Sequence, residues 1–284
     1  MNWLTEPFAL GFMQRSLIAS VIVGVVCSLI GCYVVLRSMA FLGDALAHAI
    51  LPGVAVAYLA GVNLLAGALV AGLLVAVGIS FVSRSGTIRE DTAIGVFFAA
   101  ALALGVVLIS TMDTYAVDLT HVLFGNVLGV SEVDLWISGG LAAVVLVCIA
   151  LLYKRLLVVS FDPILGQTLG LHTDLLRTGL FLMLAATIVV SLRTVGVALV
   201  AAMLVTPPAA AYLLTRRLPA MMAVSVAIGV VSAISGLYAS YYLNVASGGA
   251  MVLVATAFFL LAFVFAPRKG VLARLRSPRR PAAG

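Results

Sequence analysis

Nine apolar runs, each about as long as a bilayer is thick, follow one another along the chain: 16–36, 41–60, 63–82, 92–112, 134–153, 174–192, 194–215, 219–242 and 248–267. A helix needs about 20 apolar residues to cross the hydrocarbon core. Polar, glycine-bearing or basic links separate the runs. In lipid every backbone donor and acceptor must be satisfied within the span, which helices achieve. The pattern therefore predicts an all-α polytopic membrane protein of about eight or nine transmembrane helices. Residues 1–15 read as an N-terminal interfacial segment, 16–267 as the membrane domain, and 268–284 as a tail.

Charge placement orients the bundle. Arg37 follows the first run, Arg84 and Arg89 the third, Lys154 and Arg155 the fifth, and Arg216 and Arg217 the seventh. The tail after the ninth holds Arg268, Lys269, Arg274, Arg276, Arg279 and Arg280. The opposite connections are acidic or uncharged apart from Arg193, and the one between runs four and five holds Asp113, Asp118, Glu132 and Asp134. Basic residues favour the cytoplasmic face, so this alternation predicts an outside N-terminus and a cytoplasmic C-terminus. The basic tail then reads as a membrane flank near anionic lipid, with no nucleic-acid role.

Composition agrees. The chain is 64% apolar and 9% charged, with a mean hydropathy of +1.27. A soluble domain is about half apolar and about a quarter charged. No Gly-Lys pair occurs anywhere, so the chain has no phosphate-cradling loop of the common nucleotide-hydrolysing type. No nucleophile–histidine–acid constellation stands out either, and enzyme chemistry is not expected. Cys27, Cys32 and Cys148 sit inside apolar runs, where a thiol behaves as a small hydrophobe. The first run lacks a basic lead-in and a clear cleavage site, unlike an ordinary signal peptide.

One segment carries chemistry. A charge at the centre of a membrane helix opposes insertion by roughly 2.5–3.5 kcal/mol and marks function by default. In Leu42-Gly43-Asp44-Ala45-Leu46-Ala47-His48-Ala49-Ile50-Leu51-Pro52-Gly53, Asp44 and His48 stand one helical turn apart on one face. A carboxylate oxygen with an imidazole nitrogen suits Mn²⁺, Fe²⁺ or Zn²⁺. A helix cap at Asp44 with a carbonyl-bonded His48 is the plainer reading. Pro52 and Gly53 interrupt the helical ladder and predict a kink, as Pro207 and Pro208 do in the seventh run.

The stretch from Gly31 to Gly53 resembles the permeases of bacterial manganese/zinc ABC importers. The likeness continues through Asp91-Thr92-Ala93-Ile94-Gly95, Leu123-Phe124-Gly125-Asn126-Val127-Leu128, Ser160-Phe161-Asp162, Ala202-Met203-Leu204-Val205-Thr206-Pro207 and Asn244-Val245-Ala246-Ser247-Gly248-Gly249. It implies a type II ABC importer-like bundle acting as a homodimer of permeases. A separate cytoplasmic ATPase dimer would hold the ATP, and an extracytoplasmic binding protein would deliver Mn²⁺ or Zn²⁺ as cargo, with no permanently bound cofactor. It also implies that Asp44 and His48 line the metal path. Ala47, where the family often has Ser, and the doubled proline at Pro208 depart from the pattern.

Between Lys154 and Thr173, Ser160-Phe161-Asp162-Pro163 reads as an N-cap region opening a short amphipathic helix that ends near Gly170. The resemblance makes this the coupling helix, over about 161–170, docking on the ATPase through Phe161, Leu165 and Leu169 behind Asp162. His172 reads as a solvated loop residue, and His121 as part of the acidic external rim. The competing functional readings are a metal-chelate or siderophore ABC permease and a proton-coupled secondary transporter working alone.

Overall fold

The computed structural model describes residues 10–84, 88–111, 129–266 and 270. Among them the chain forms helices and no strand. They are α1 Gly11–Leu36, α2 Phe41–Ala49, α3 Leu51–Leu59, α4 Leu64–Arg84, α5 Glu90–Ser110, α6 Glu132–Phe161, α7 Pro163–Thr168, α8 Thr173–Val195, α9 Val197–Leu214, α10 Leu218–Leu243 and α11 Ser247–Phe265. Taking α2 and α3 together, eight of these segments are long and apolar enough to cross a membrane, and Leu199–Leu214 is a shorter apolar helix. All nine predicted runs are therefore helical, the seventh as a short one.

Local chemistry sets the ends. A capping box starts α6, in which Ser131 Oγ accepts from Asp134 N–H at 3.2 Å and Asp134 Oδ2 accepts from Ser131 N–H at 3.3 Å. Gly196, at φ +83°, separates α8 from α9, and Asn244 in the left-handed region closes α10. The predicted first and fifth runs are longer than expected. Helix α1 takes in residues 11–15, and α6 continues two turns past Tyr153 with Lys154 and Arg155 inside it.

Helices sort into a centre and a shell. Buried residues make up 67%, 67% and 61% of the apolar windows of α1, α2–α3 and α8, against 17%, 22% and 22% for α5, α6 and α11. Helix α1 packs on α6, α8, α9 and α10, and α2 on α4, α5, α8 and α9. Lipid tails solvate leucine as well as a protein core does, so close packing at small residues has to hold such helices together. Gly53 of α3 and Gly67 of α4 supply one such contact, where a Cβ on either would strike the other's carbonyl oxygen. Gly24 and Gly229 bring α1 and α10 together as well, where a Cβ on Gly229 would collide with Ser28 Oγ, and Ser225 Oγ donates across that interface to the Ser28 carbonyl at 3.2 Å.

Ion pairs show which helix ends lie together. Arg15 near the start of α1 meets Glu132 at the start of α6 at 3.4 Å. At the other pole, Arg37 after α1 meets Glu90 at the start of α5 at 2.8 Å. The two contacts fix α5 and α6 as antiparallel to one another.

Candidate metal site

Helix α2 is buried on every side but one. Leu42, Ala45, Leu46, Ala47 and Ala49 are sealed against neighbouring helices, whereas Phe41, Asp44 and His48 are partly open. Those three positions share one stripe, and the two chemically active side chains of the motif occupy it. His48 Nε2 lies 3.6 Å from Asp44 Oδ1, too far for a hydrogen bond and close enough for one cation to touch both. The plainer alternative, a carbonyl-bonded histidine, finds no such bond among the described contacts. Phe98 of α5 sets its ring edge-on to both Phe41 and His48, at centroid distances of 5.4 and 6.0 Å.

Two donors cannot complete the coordination of a transition-metal ion, which takes at least four. Among the described residues no group of three or more His, Cys, Asp or Glu could hold a metal. The pair is thus a candidate half-site, open at the protein surface. Ala47, buried, faces away from the open stripe, so a hydroxyl at that position would enter the packing instead of the stripe.

The prolines act on the backbone beside this stripe. The break between α2 and α3 falls at Ile50, and Pro52 stands in the first turn of α3. Gly53 has its own task in the close contact with Gly67. Pro207 and Pro208 lie inside α9. Their missing N–H groups release the carbonyls of Met203 and Leu204 from the helical ladder. The Leu204 carbonyl lies directly over Gly31 of α1, where any Cβ would collide with it. Gly43 of α2 faces the Leu204 side chain, so the same turn of α9 contacts both α1 and the ion-pair helix.

At the opposite end of α6 the chain turns sharply through Asp162. Its Oδ1 accepts from the N–H groups of Ile164 and Leu165, both at 3.0 Å, and caps α7. The helix covers Pro163–Thr168; Phe161 ends α6 and Leu169 is the C-cap residue, with Gly170 following at φ +74°. Phe161, Ile164, Leu165, Leu169 and Leu175 are all exposed. Ile164 was absent from the sequence-based set, because a period of four from Phe161 skips it.

Sequence reasoning also missed an ionic cluster beside this corner. Glu90 Oε1 is shared by Arg37 Nη2 at 2.8 Å and Arg177 Nη1 at 3.2 Å. Arg177 Nη2 also donates to the Ser80 carbonyl at 3.2 Å and lies 3.6 Å from Asp174 Oδ1, while Asp174 Oδ2 binds Arg84 Nε at 2.7 Å. Burial lowers the Arg37 pKa and the adjacent Glu90 opposes that shift; the guanidinium stays charged. Arg37 and Arg84 were legible only as orientation markers, and Arg177, inside the sixth apolar run, was not singled out at all. His121, Asp113, Asp118, the Leu123–Leu128 motif and the basic tail lie outside the described residues.

A helical bundle with eight apolar helices of membrane length is the architecture of a polytopic membrane protein. The chain belongs to the ABC 3 transport family, whose profile matches residues 9–266. It is 48% identical to the manganese transport system membrane protein MntC of Halalkalibacterium halodurans, over 93% of this chain and 90% of that one. The manganese import system permease protein ScaB of Streptococcus gordonii is 41% identical, over 93% and 94%. Among solved structures, PsaBC from Streptococcus pneumoniae in complex with Fab superposes with a TM-score of 0.84 at 37% identity, covering 97% of this chain and 99% of the other.

Proposed function

We propose that this chain is the transmembrane permease subunit of an ATP-driven importer of divalent transition-metal ions, with Mn²⁺ preferred and Zn²⁺ or Fe²⁺ as possible cargo. The observation that carries the reading is the placement of Asp44 and His48 on the single open stripe of the otherwise buried α2. Family membership and the manganese relatives support the choice of cargo. A second copy of the chain placed with its stripe opposite would bring two carboxylates and two imidazoles around one path. Four mixed oxygen and nitrogen donors replace part of the hydration shell of Mn²⁺ without caging it.

In this reading the chain itself hydrolyses nothing. ATP is held by a separate cytoplasmic ATPase dimer, which docks on the exposed apolar side chains at Phe161, Ile164, Leu165 and Leu169 in the manner of a helix-in-groove contact. An extracytoplasmic binding protein delivers the ion from the other face. The membrane is the bacterial inner membrane, and the C-terminus is cytoplasmic, on the side of α7. Alternating access then follows from the ATPase closing and opening beneath the two copies.

The test is metal uptake into proteoliposomes holding the chain, with and without the ATPase, the binding protein and internal ATP. Uptake of Mn²⁺ only when all are present is the expected result. Uptake by the chain alone, following a proton gradient, would replace this reading with secondary transport.

A further inference from the structure

The ionic cluster sits where three parts of the proposed machine meet. Asp174 lies in the first turn of α8 and Arg177 at the start of the next, and α8 follows the corner helix α7 by a few residues. Arg37 ends α1 and stands seven residues before Asp44, and Glu90 opens α5. Eight residues along α5, about 12 Å at the helical rise, Phe98 rests its ring edge on His48. One carboxylate oxygen on α5 is thus tied both to the corner and to the approach to α2, and the same helix touches the half-site directly.

The cluster also has two arrangements within reach. Arg177 is bound to Glu90 at 3.2 Å and has Asp174 waiting at 3.6 Å, with Asp174 anchored to Arg84. Arg37 and Arg177 are only 12% and 13% exposed, so neither can trade Glu90 for water. Removing the anion from between two poorly hydrated guanidinium groups is unfavourable, and a movement of α8 has to carry Glu90 along or hand Arg177 to Asp174.

Resting on the permease reading above, we propose that Glu90 is a positioning residue for transport: the joint by which movement of the α7–α8 corner reaches His48, with α5 as the lever and Phe98 as its contact. Neither Glu90 nor Phe98 binds the ion. Glu90 transmits, and Phe98 sets the imidazole.

The decisive measurement is the number of Mn²⁺ ions imported per ATP hydrolysed by the assembled transporter in proteoliposomes. Glu90→Gln keeps the shape and removes the charge. It is expected to leave ATP hydrolysis within about twofold and to lower ions per ATP by about tenfold, the size of an ordinary coupling between sites. Glu90→Gln with Arg177→Gln should be no worse than Glu90→Gln alone, because both remove the same joint. A Glu90→Gln transporter with the wild-type ratio overturns the proposal. So does a proportional fall in hydrolysis and uptake, which is what a purely structural role gives. If Glu90→Gln does not assemble, Arg177→Lys decides by the same ratio, since it keeps the cation and loses the shared geometry. Absence of Mn²⁺ uptake by the wild-type assembly would instead strike at the permease reading itself.

Discussion

At the scale of single residues, Asp44 and His48 are expected to be indispensable to uptake and dispensable to folding. They sit on an open stripe, where Phe98 touches His48, while Phe41 and the buried face of α2 also hold α5 and the other neighbours. Asp44→Ala or His48→Ala should abolish Mn²⁺ import while the amount of assembled complex, read by size-exclusion chromatography, stays unchanged. Gly31 is the reverse case. A methyl group there would strike the Leu204 carbonyl and the Pro208 ring, and overpacking of this kind destabilises by about 1–3 kcal/mol. Gly31→Ala should therefore lower the thermal unfolding midpoint in detergent. The first pair was legible in the sequence as an acid and an imidazole one turn apart within an apolar run, beside the plainer reading of a helix cap with a carbonyl-bonded histidine. The Glu90–Arg177 contact was not legible, since 87 positions separate its members and no spacing rule joins them.

At the scale of elements, the sequence located every apolar run but misjudged where helices stop. Lys154 and Arg155 read as a span end, yet α6 runs on to Phe161. Charged side chains end a hydrophobic span without ending a helix, because their stems reach to the interface and the backbone ladder is indifferent to them. Helix α7, with 6 residues, is too short to stand alone. It is held by the Asp162 cap, and Asp162→Ala should destabilise the corner by about 1 kcal/mol, detected as faster amide exchange at Ile164 and Leu165. Phe161→Asp with Leu165→Asp should abolish stimulation of the partner ATPase by loaded binding protein. Unchanged stimulation would remove the corner from the docking surface.

At the scale of the molecule, the charge pattern along the chain was sufficient to predict one membrane bundle, and the structure adds that the basic ends converge. Arg37, Arg84 and Arg177 meet at one pole through two acids, while Arg15 meets Glu132 at the other. Single cysteines at exposed Ala60 and Thr168 should accordingly be labelled from opposite sides of the membrane by an impermeant reagent, Thr168 from the cytoplasm. Cys27 and Cys32 are buried, so only half-buried Cys148 needs replacing first. Labelling of both from one side would refute the orientation. The half-site on α2 bears on inheritance as well as transport. In the proposed two-fold assembly every change on the stripe is written twice around the ion. A cell expressing an Asp44→Ala allele beside an intact one in equal amounts would build only about a quarter of its transporters without a defective copy, by random pairing of two subunits. Loss-of-function at this stripe should therefore behave as a dominant trait, whereas a failure to fold, as at Gly31, should behave as a recessive one.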